Sequence, residues 1–145
     1  MKMSTFRKLY ATLSSPVGVS GRESRVASVL RELCPTTFSC SVDFFGNVWY
    51  MPSGTRCATL LTAHMDEVGI MAKGHEDDGR IEFVGVGGFD SRVFPASSIL
   101  FENGHRGVIG LPAPHGRSDS DKVLPVSELR VDCGFKDKDE AKCKV

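Results

Sequence analysis

The sequence predicts an α/β protein in which two helices and three strands precede a β-rich, barrel-like segment. Apolar residues first recur with helical spacing, and from Phe38 onward they alternate with a period of two. Beyond Glu67 the chain changes to short strand-like runs separated by glycine-containing turns. The change in pattern places a boundary just after Asp66, so we expect one domain over residues 1–66 and another over residues 67–145.

Two amphipathic helices are predicted at the N-terminus. The first has a single apolar stripe made of Met3, Phe6, Leu9, Tyr10 and Leu13. The second has a stripe made of Val26, Val29, Leu30 and Leu33, and Pro35 ends it. Ser20 and Glu23 have the spacing of a capping box, in which each side chain accepts a hydrogen bond from an amide of the first turn. We therefore expect the second helix to begin beside Ser20.

Three strands are expected after these helices. Residues 38–44 alternate between apolar and polar, which is typical of a half-buried strand, and Gly46 and Asn47 then turn the chain into a second strand over 48–51. Residues 57–63 form a short, nearly continuous apolar run. Such a run favours a strand buried on both faces of an α/β sheet.

The segment beyond Glu67 favours a small β-barrel or sandwich. Five short strand-like runs span residues 68–73, 80–86, 98–102, 106–111 and 128–133. Glycine-containing turns separate most of them, and residues 137–144 could add a closing helical turn or two. This succession of short strands and turns differs from the two helices and three strands predicted before Asp66, so we expect a separate module.

Composition narrows the class of protein. The 145 residues carry 18 basic and 18 acidic side chains, so the net charge of zero argues against a nucleic-acid partner. No apolar stretch is long enough to span a membrane, and the basic N-terminus lacks the apolar region of a secretory signal. The five cysteines are an odd number without CxxC spacing. Reduced thiols in a cytoplasmic protein are therefore expected.

The chemistry of the chain is concentrated at His64 and Asp66. They follow the predicted buried strand, and ligand sites in α/β sheets lie beyond the carboxyl ends of strands. Imidazole suits zinc or cobalt, and a carboxylate two residues later can hold the other ring nitrogen and orient the ligand. A lone His-x-Asp is weak evidence, because an isolated histidine is more often a hydrogen-bonded structural residue. The other histidines, His75, His105 and His115, lack ligand spacing and are interpreted as exposed loop residues.

The chain resembles the M42 family of metallo-aminopeptidases over nearly its whole length. The most specific match is AHMDEVG at 63–69, and GGFDSRVFP at 87–95 follows in family order. Further matches are LSSPVGVSGRE at 13–23, DFFGNV at 43–48, RGVIG at 106–110, DKVLP at 121–125 and ELRVDCG at 128–134. Coincidence does not explain so many matches in order.

The resemblance implies a catalytic α/β domain, of which residues 1–66 are the N-terminal part, and an inserted β-rich dimerisation domain over 67–145. It implies two divalent metal ions, zinc or cobalt, with His64 as a ligand of one and Asp66 as the residue that orients it. The remaining ligands and the general-base glutamate lie later in the family's chain, so Glu67 is expected to have a structural role.

Two functions remain open at this stage. The chain is expected to be a fragment of a peptide-hydrolysing, homo-oligomeric aminopeptidase, inactive alone because most ligands are missing. The alternative is a non-catalytic assembly module or a truncated pseudoenzyme.

Overall fold

The computed structural model describes residues 2–54, 59–111 and 123–145, and the chain forms two compact units, Met1–Glu67 and Val68–Val145. The first unit contains two helices and a hairpin. The second contains a five-stranded antiparallel sheet and a short C-terminal helix. The predicted mixture of an α/β segment with a β-rich segment is confirmed. Among the described residues, no helix has the length and apolar composition needed to cross a membrane.

Both predicted N-terminal helices are present, as α1 (Met3–Ser14) and α2 (Ser24–Leu33). α2 ends before Pro35, as expected, because proline cannot continue the backbone hydrogen-bond pattern. The capping box was wrong. α2 begins at Ser24, and the Glu23 carboxylate accepts a hydrogen bond from the Gly21 amide at 2.6 Å, inside the preceding turn.

The predicted hairpin is formed by β1 (Phe38–Val42) and β2 (Val48–Pro52), which pair antiparallel with Val42 opposite Val48. Gly46 adopts a φ of 87°, a conformation that side chains disfavour, so glycine suits this turn. The first and second strands of the sequence prediction are therefore confirmed.

Asp43 organises the turn of this hairpin. Its carboxylate accepts hydrogen bonds from the amides of Phe45 and Asn47, each at 2.9 Å, and from the Trp49 indole at 2.9 Å. The Asn47 side chain donates another at 2.8 Å. These donors lower the pKa of Asp43 to about 2, the Trp49 indole contributing most. The turn is thus held by side-chain acceptance of backbone amides, as Asx turns are.

The third predicted strand was wrong in the part that the structure describes. Residues 59–66 belong to no strand, and no described residue pairs with them in a β ladder. Leu61 is 90% exposed, whereas the prediction had this run buried on both faces. A strand exists only where neighbouring backbone satisfies its amides and carbonyls, and apolar composition alone does not supply that neighbour. Cys57 and Ala58 lie outside the described residues.

In the second unit the five predicted strand-like runs all appear. They are β3 (Gly69–His75), β4 (Ile81–Val86), β5 (Ser98–Leu100), β6 (Arg106–Gly110) and β7 (Arg130–Asp132). The sheet order is β3-β4-β7-β6-β5, with all neighbours antiparallel. The predicted closing helix is α3 (Lys138–Lys144), whose first turn is capped by the Asp137 carboxylate.

The core of the second unit lies on one face of this sheet. Six side chains form its buried cluster: Ile81, Phe83, Phe94, Ile109, Leu129 and Val131. β6 shows the underlying alternation, because Gly107 and Ile109 are buried while Val108 between them is exposed. Gly107 is required by close packing, since a Cβ there would lie 2.5 Å from Val131 Cγ1 and 2.7 Å from Cys133 Sγ.

We expect Gly107→Ala to lower the free energy of unfolding by about 1–3 kcal/mol, because the added methyl overpacks the sheet against β7. Urea denaturation followed by circular dichroism measures the change. Gly110→Ala, on the same strand, is the matched control, since its Cβ would meet nothing nearer than the Arg130 carbonyl at 3.9 Å. Equal stability of the two variants would contradict the packing argument.

Candidate metal-ligand corner

The segment from His64 to Glu67, hereafter the HMDE corner, is attached to the loop between α1 and α2. The Glu67 amide donates to the Gly18 carbonyl at 2.8 Å, within a parallel bridge between Val19 and Glu67. The Gly18 amide lies 3.4 Å from Glu67 Oε1 and donates to it. Glu67 therefore ties the corner to the loop through both its backbone and its side chain.

Gly18 lets this loop approach α2 closely. The residue is buried, and a Cβ on it would lie 2.5 Å from Val26 Cγ2. The same Cβ would be 3.8 Å from the Met65 carbonyl, so Gly18 lies between α2 and the HMDE corner. A larger residue would have to displace Val26, which is among the few buried side chains of α2.

His64 and Asp66 are hydrogen-bonded to each other. His64 Nδ1 lies 3.0 Å from Asp66 Oδ1 and 2.9 Å from the Asp66 carbonyl oxygen. Both partners are acceptors, so Nδ1 must carry the proton that it donates. In the neutral ring the lone pair then lies on Nε2, and the His64 side chain is 85% exposed. The pair thus presents one imidazole nitrogen that is able to bind a metal ion.

Ser20 holds the other carboxylate oxygen of Asp66. Its hydroxyl donates to Oδ2, so the two carboxylate oxygens have different partners, Ser20 and His64. These bonds lower the pKa of Asp66, the Ser20 hydroxyl contributing most and His64 next. The sequence interpretation missed this role of Ser20, because it assigned the residue to a helix cap. Ser20 and Asp66 are separated by 46 positions in the sequence, and no spacing signal could have revealed their contact.

The described residues fit one metal ligand and its orienting carboxylate rather than a complete metal site. Among residues 2–54, 59–111 and 123–145, no group of three or more His, Cys, Asp or Glu side chains could hold a metal ion. A zinc site usually needs three or four protein ligands. The described parts of the chain therefore do not supply the further ligands that a metal ion bound at His64 would need.

Two other histidines that the structure describes, His75 and His105, lie away from the HMDE corner in sequence and make their own contacts. His75 ends β3, so its prediction as a loop residue was wrong, and its Nε2 lies 3.0 Å from the Val145 carbonyl. The polar residues that follow His75 made this stretch of the sequence look like a turn, although the strand extends to His75. His105 lies in the turn before β6, where its ring meets Phe135 edge-on at 5.8 Å between ring centroids. His115 lies outside the described residues.

Comparison with known proteins identifies the family. The family model for the M42 glutamyl aminopeptidases matches residues 46–144, about two thirds of the chain. The lysyl aminopeptidase of Pyrococcus furiosus is 31% identical over 140 residues, which cover 89% of this chain and 39% of that protein. This chain therefore belongs to the M42 glutamyl aminopeptidase family.

Solved structures agree with this family at the level of the fold. An aminopeptidase from the archaeon Desulfurococcus kamchatkensis has a TM-score of 0.86 and 31% identity, covering 98% of this chain and 41% of that one. The TET1 peptidase of Pyrococcus horikoshii has a TM-score of 0.82 and 31% identity, covering 97% and 43%. The chain thus spans about two fifths of the length of these relatives.

We expect Ser20→Ala to raise the pKa of Asp66 toward the usual carboxyl value, because the largest stabilising donor is removed. Carboxyl carbon NMR during an acid titration measures it. In the parent protein the low pKa of Asp66 adds folding stability above the usual carboxyl pKa, and this contribution disappears as pH falls through the lowered value.

Ser39→Ala is the control for this titration, because the Ser39 hydroxyl donates to the Met51 carbonyl, elsewhere in the same unit. It should leave the Asp66 titration unchanged. An Asp66 pKa that is identical in the parent protein and in Ser20→Ala would show that the Ser20 hydrogen bond does not set it.

Proposed function

We propose that this chain supplies one metal-ligand corner of a dinuclear-metal aminopeptidase, an enzyme that removes N-terminal residues from peptides. The observation that carries the proposal is the His64–Asp66 pair, in which Nδ1 donates to Asp66 and Nε2 is exposed. That arrangement is the one that metal-binding histidines use, with a carboxylate fixing the tautomer and raising ligand basicity. Membership of the M42 family supports the reaction class.

In this proposal four residues have one role each. His64 binds a divalent ion through Nε2, Asp66 orients the imidazole, and Ser20 orients Asp66. Two such ions, zinc or cobalt, would supply an activated water and polarise the scissile carbonyl. Imidazole with a carboxylate partner suits either metal, so the donor set supports both. Glu67 positions the corner through its bonds to Gly18 and takes no part in proton transfer.

The two halves of the chain would have different tasks. Residues 1–66 would be part of the catalytic domain, and residues 67–145 the inserted dimerisation domain. The compact units Met1–Glu67 and Val68–Val145, together with the TET1 peptidase described as assembling into a tetrahedron or an octahedral shell, support this division.

We further propose that residues 1–145 do not hydrolyse peptides without additional ligands. One exposed imidazole cannot hold two metal ions, and the described residues offer no cluster that could. The second candidate function, a non-catalytic assembly module, rests on the same shortage of ligands among the described residues. Activity and metal measurements separate these alternatives from an active enzyme.

The first test combines metal binding with turnover. Zinc or cobalt titrated into histidine-labelled protein should shift the His64 Nε2 resonance first, and leucyl-nitroanilide should remain unhydrolysed. His64→Ala should abolish that binding, and Asp66→Asn should weaken it about 10–100-fold, because the ligand loses its orienting partner. His105→Ala is the control, since His105 contacts Phe135 and should not affect binding.

Two results would contradict the proposal. Metal-dependent turnover by the 145-residue chain, lost in His64→Ala, would show that the chain is an active enzyme. Metal that shifts His75 or His105 while His64 stays unchanged would remove the ligand role of the HMDE corner.

The second test concerns assembly. Size-exclusion chromatography with light scattering should give a dimer or a larger species, because the 67–145 domain is proposed to join copies of the chain. The 145-residue chain is diluted stepwise, so that the mass of the species is measured at several concentrations. A mass equal to one chain, 15.8 kDa, at every concentration would contradict the assembly role.

A further inference from the structure

The sheet of the second unit has a second face, opposite its core, on which apolar side chains are exposed. β4 shows the alternation, because Ile81 and Phe83 are buried in the core whereas Val84 is exposed. Four apolar side chains share this position, and each has a direct neighbour along its strand that packs in or against the core. Each is at least 36% exposed: Met71 of β3, Val84 of β4, Val108 of β6 and Leu100 of β5. These four residues and the charged residues between them are hereafter the outer face.

The sheet order divides the outer face into two apolar patches with charges between them. Met71 and Val84 lie directly opposite each other on β3 and β4. The other patch lies on β6 and β5, beyond β7. β7 itself contributes Arg130 and Asp132, on either side of a residue that is buried in the core. A face that is exposed to water normally carries polar residues, so two apolar patches here indicate a binding surface.

A hollow adjoins the patch on β3 and β4. Val84 and Lys73 line it together with Ser127 and Arg130, and its volume is about 220 Å³. Met71, beside Val84 in the sheet, is 59% exposed and protrudes from the same patch. A surface that has both a protruding apolar side chain and a hollow can complement a copy of itself, as the interfaces of two-fold dimers do.

We propose that the outer face is the surface through which the second unit binds a second copy of this chain. This inference rests on the proposed assembly role and assigns a surface to it. The charges favour this partner, because the face is positive at Lys73 and Arg106 and negative at Glu82 and Asp132. Two copies related by a two-fold axis can place such unlike charges opposite each other. A nucleic acid or an anionic membrane would instead favour a face with an excess of positive charge.

The edges of the sheet are less suited to joining two copies. The register of the edge strand β3 shifts between Ala72 and Gly74, and the residue between them is a lysine. Irregular pairing and an edge lysine both discourage the addition of another strand. The opposite edge, β5, has only three residues. Contact through the outer face is therefore favoured over a sheet that continues from one copy to the next.

The first test uses the parent chain. Its mass is measured by light scattering over a range of concentrations, and each sample receives a brief pulse of acetic anhydride before digestion and mass spectrometry. Where the mass exceeds that of one chain, acetylation of Lys73 should fall severalfold, because the second copy covers it. Lys142, an exposed lysine of α3, is the internal control and should be labelled equally at every concentration.

The second test uses a matched pair of variants. Val84→Lys should raise the dissociation constant of the dimer about tenfold or more, because the interface would bury an ammonium group without a partner. Val93→Lys is the control, since Val93 is also exposed but lies in the turn Ser91–Val93, outside the sheet. It should leave the dissociation constant unchanged. Circular dichroism establishes that both variants are folded, and the labelling of Lys73 in the parent chain decides the question if Val84→Lys is not.

Three results would overturn the proposal. A parent chain that associates while Lys73 labelling stays constant would exclude the outer face and leave the assembly role standing. A mass of one chain at every concentration would exclude both. Protection of Lys73 that appears only with added phosphatidylglycerol vesicles would make a membrane the partner. None of these results bears on metal binding at His64, which is measured separately.

Discussion

The HMDE corner depends on one backbone contact, the hydrogen bond from the Glu67 amide to the Gly18 carbonyl. Residues 59–66 have no ladder partner among the described residues, so local backbone pairing does not hold the segment that leads into His64. The hydrogen bond of the Glu67 amide holds the end of this segment against the loop, where Asp66 meets Ser20. Because Gly18 packs against Val26 of α2, the position of the corner is linked to the helix packing of the first unit.

The order of donors and acceptors then determines what His64 can do. Ser20 donates to one oxygen of Asp66, and the other oxygen accepts from His64 Nδ1. The proton lies on Nδ1 because both Asp66 oxygens that meet it are acceptors, and the Asp66 carboxylate is held in turn by a hydroxyl 44 residues before His64. Such chains of hydrogen bonds are how metal sites orient their ligands. As a result, Nε2 is the imidazole nitrogen that is left to bind a metal ion.

The second unit is stabilised differently, by a sheet whose central strand is very short. β7 has three residues, yet it pairs with both β4 and β6, and Val131 within it is fully buried. Arg130 of β7 adds two ion pairs, because its guanidinium lies 2.7 Å from the Glu76 carboxylate and 3.4 Å from the Glu82 carboxylate. Close packing at Gly107 completes the contact from the β6 side. The connection of β4 to β6 within the sheet therefore depends on only a few residues of β7.

Sequence by itself determined the features that depend on neighbours along the chain. Local signals were present for the alternation over 38–44, the turn at Gly46, the helix end before Pro35 and the five short runs after Glu67. The structure has a strand, a turn or a helix end near each of these predicted positions. The sequence also indicated the family, because motifs such as AHMDEVG are short segments of consecutive residues that occur in the expected order.

Only the tertiary structure decided the features that join distant residues. Whether the apolar run before His64 is a strand depends on a partner strand, which its own composition cannot provide. Ser20 has good capping chemistry, but its hydroxyl donates to Asp66, and the helix begins at Ser24 instead. The meeting of His75 with the Val145 carbonyl arises in the same way. The physical reason is that a polar side chain takes whichever partner the folded chain brings to it, and spacing in the sequence does not record that choice.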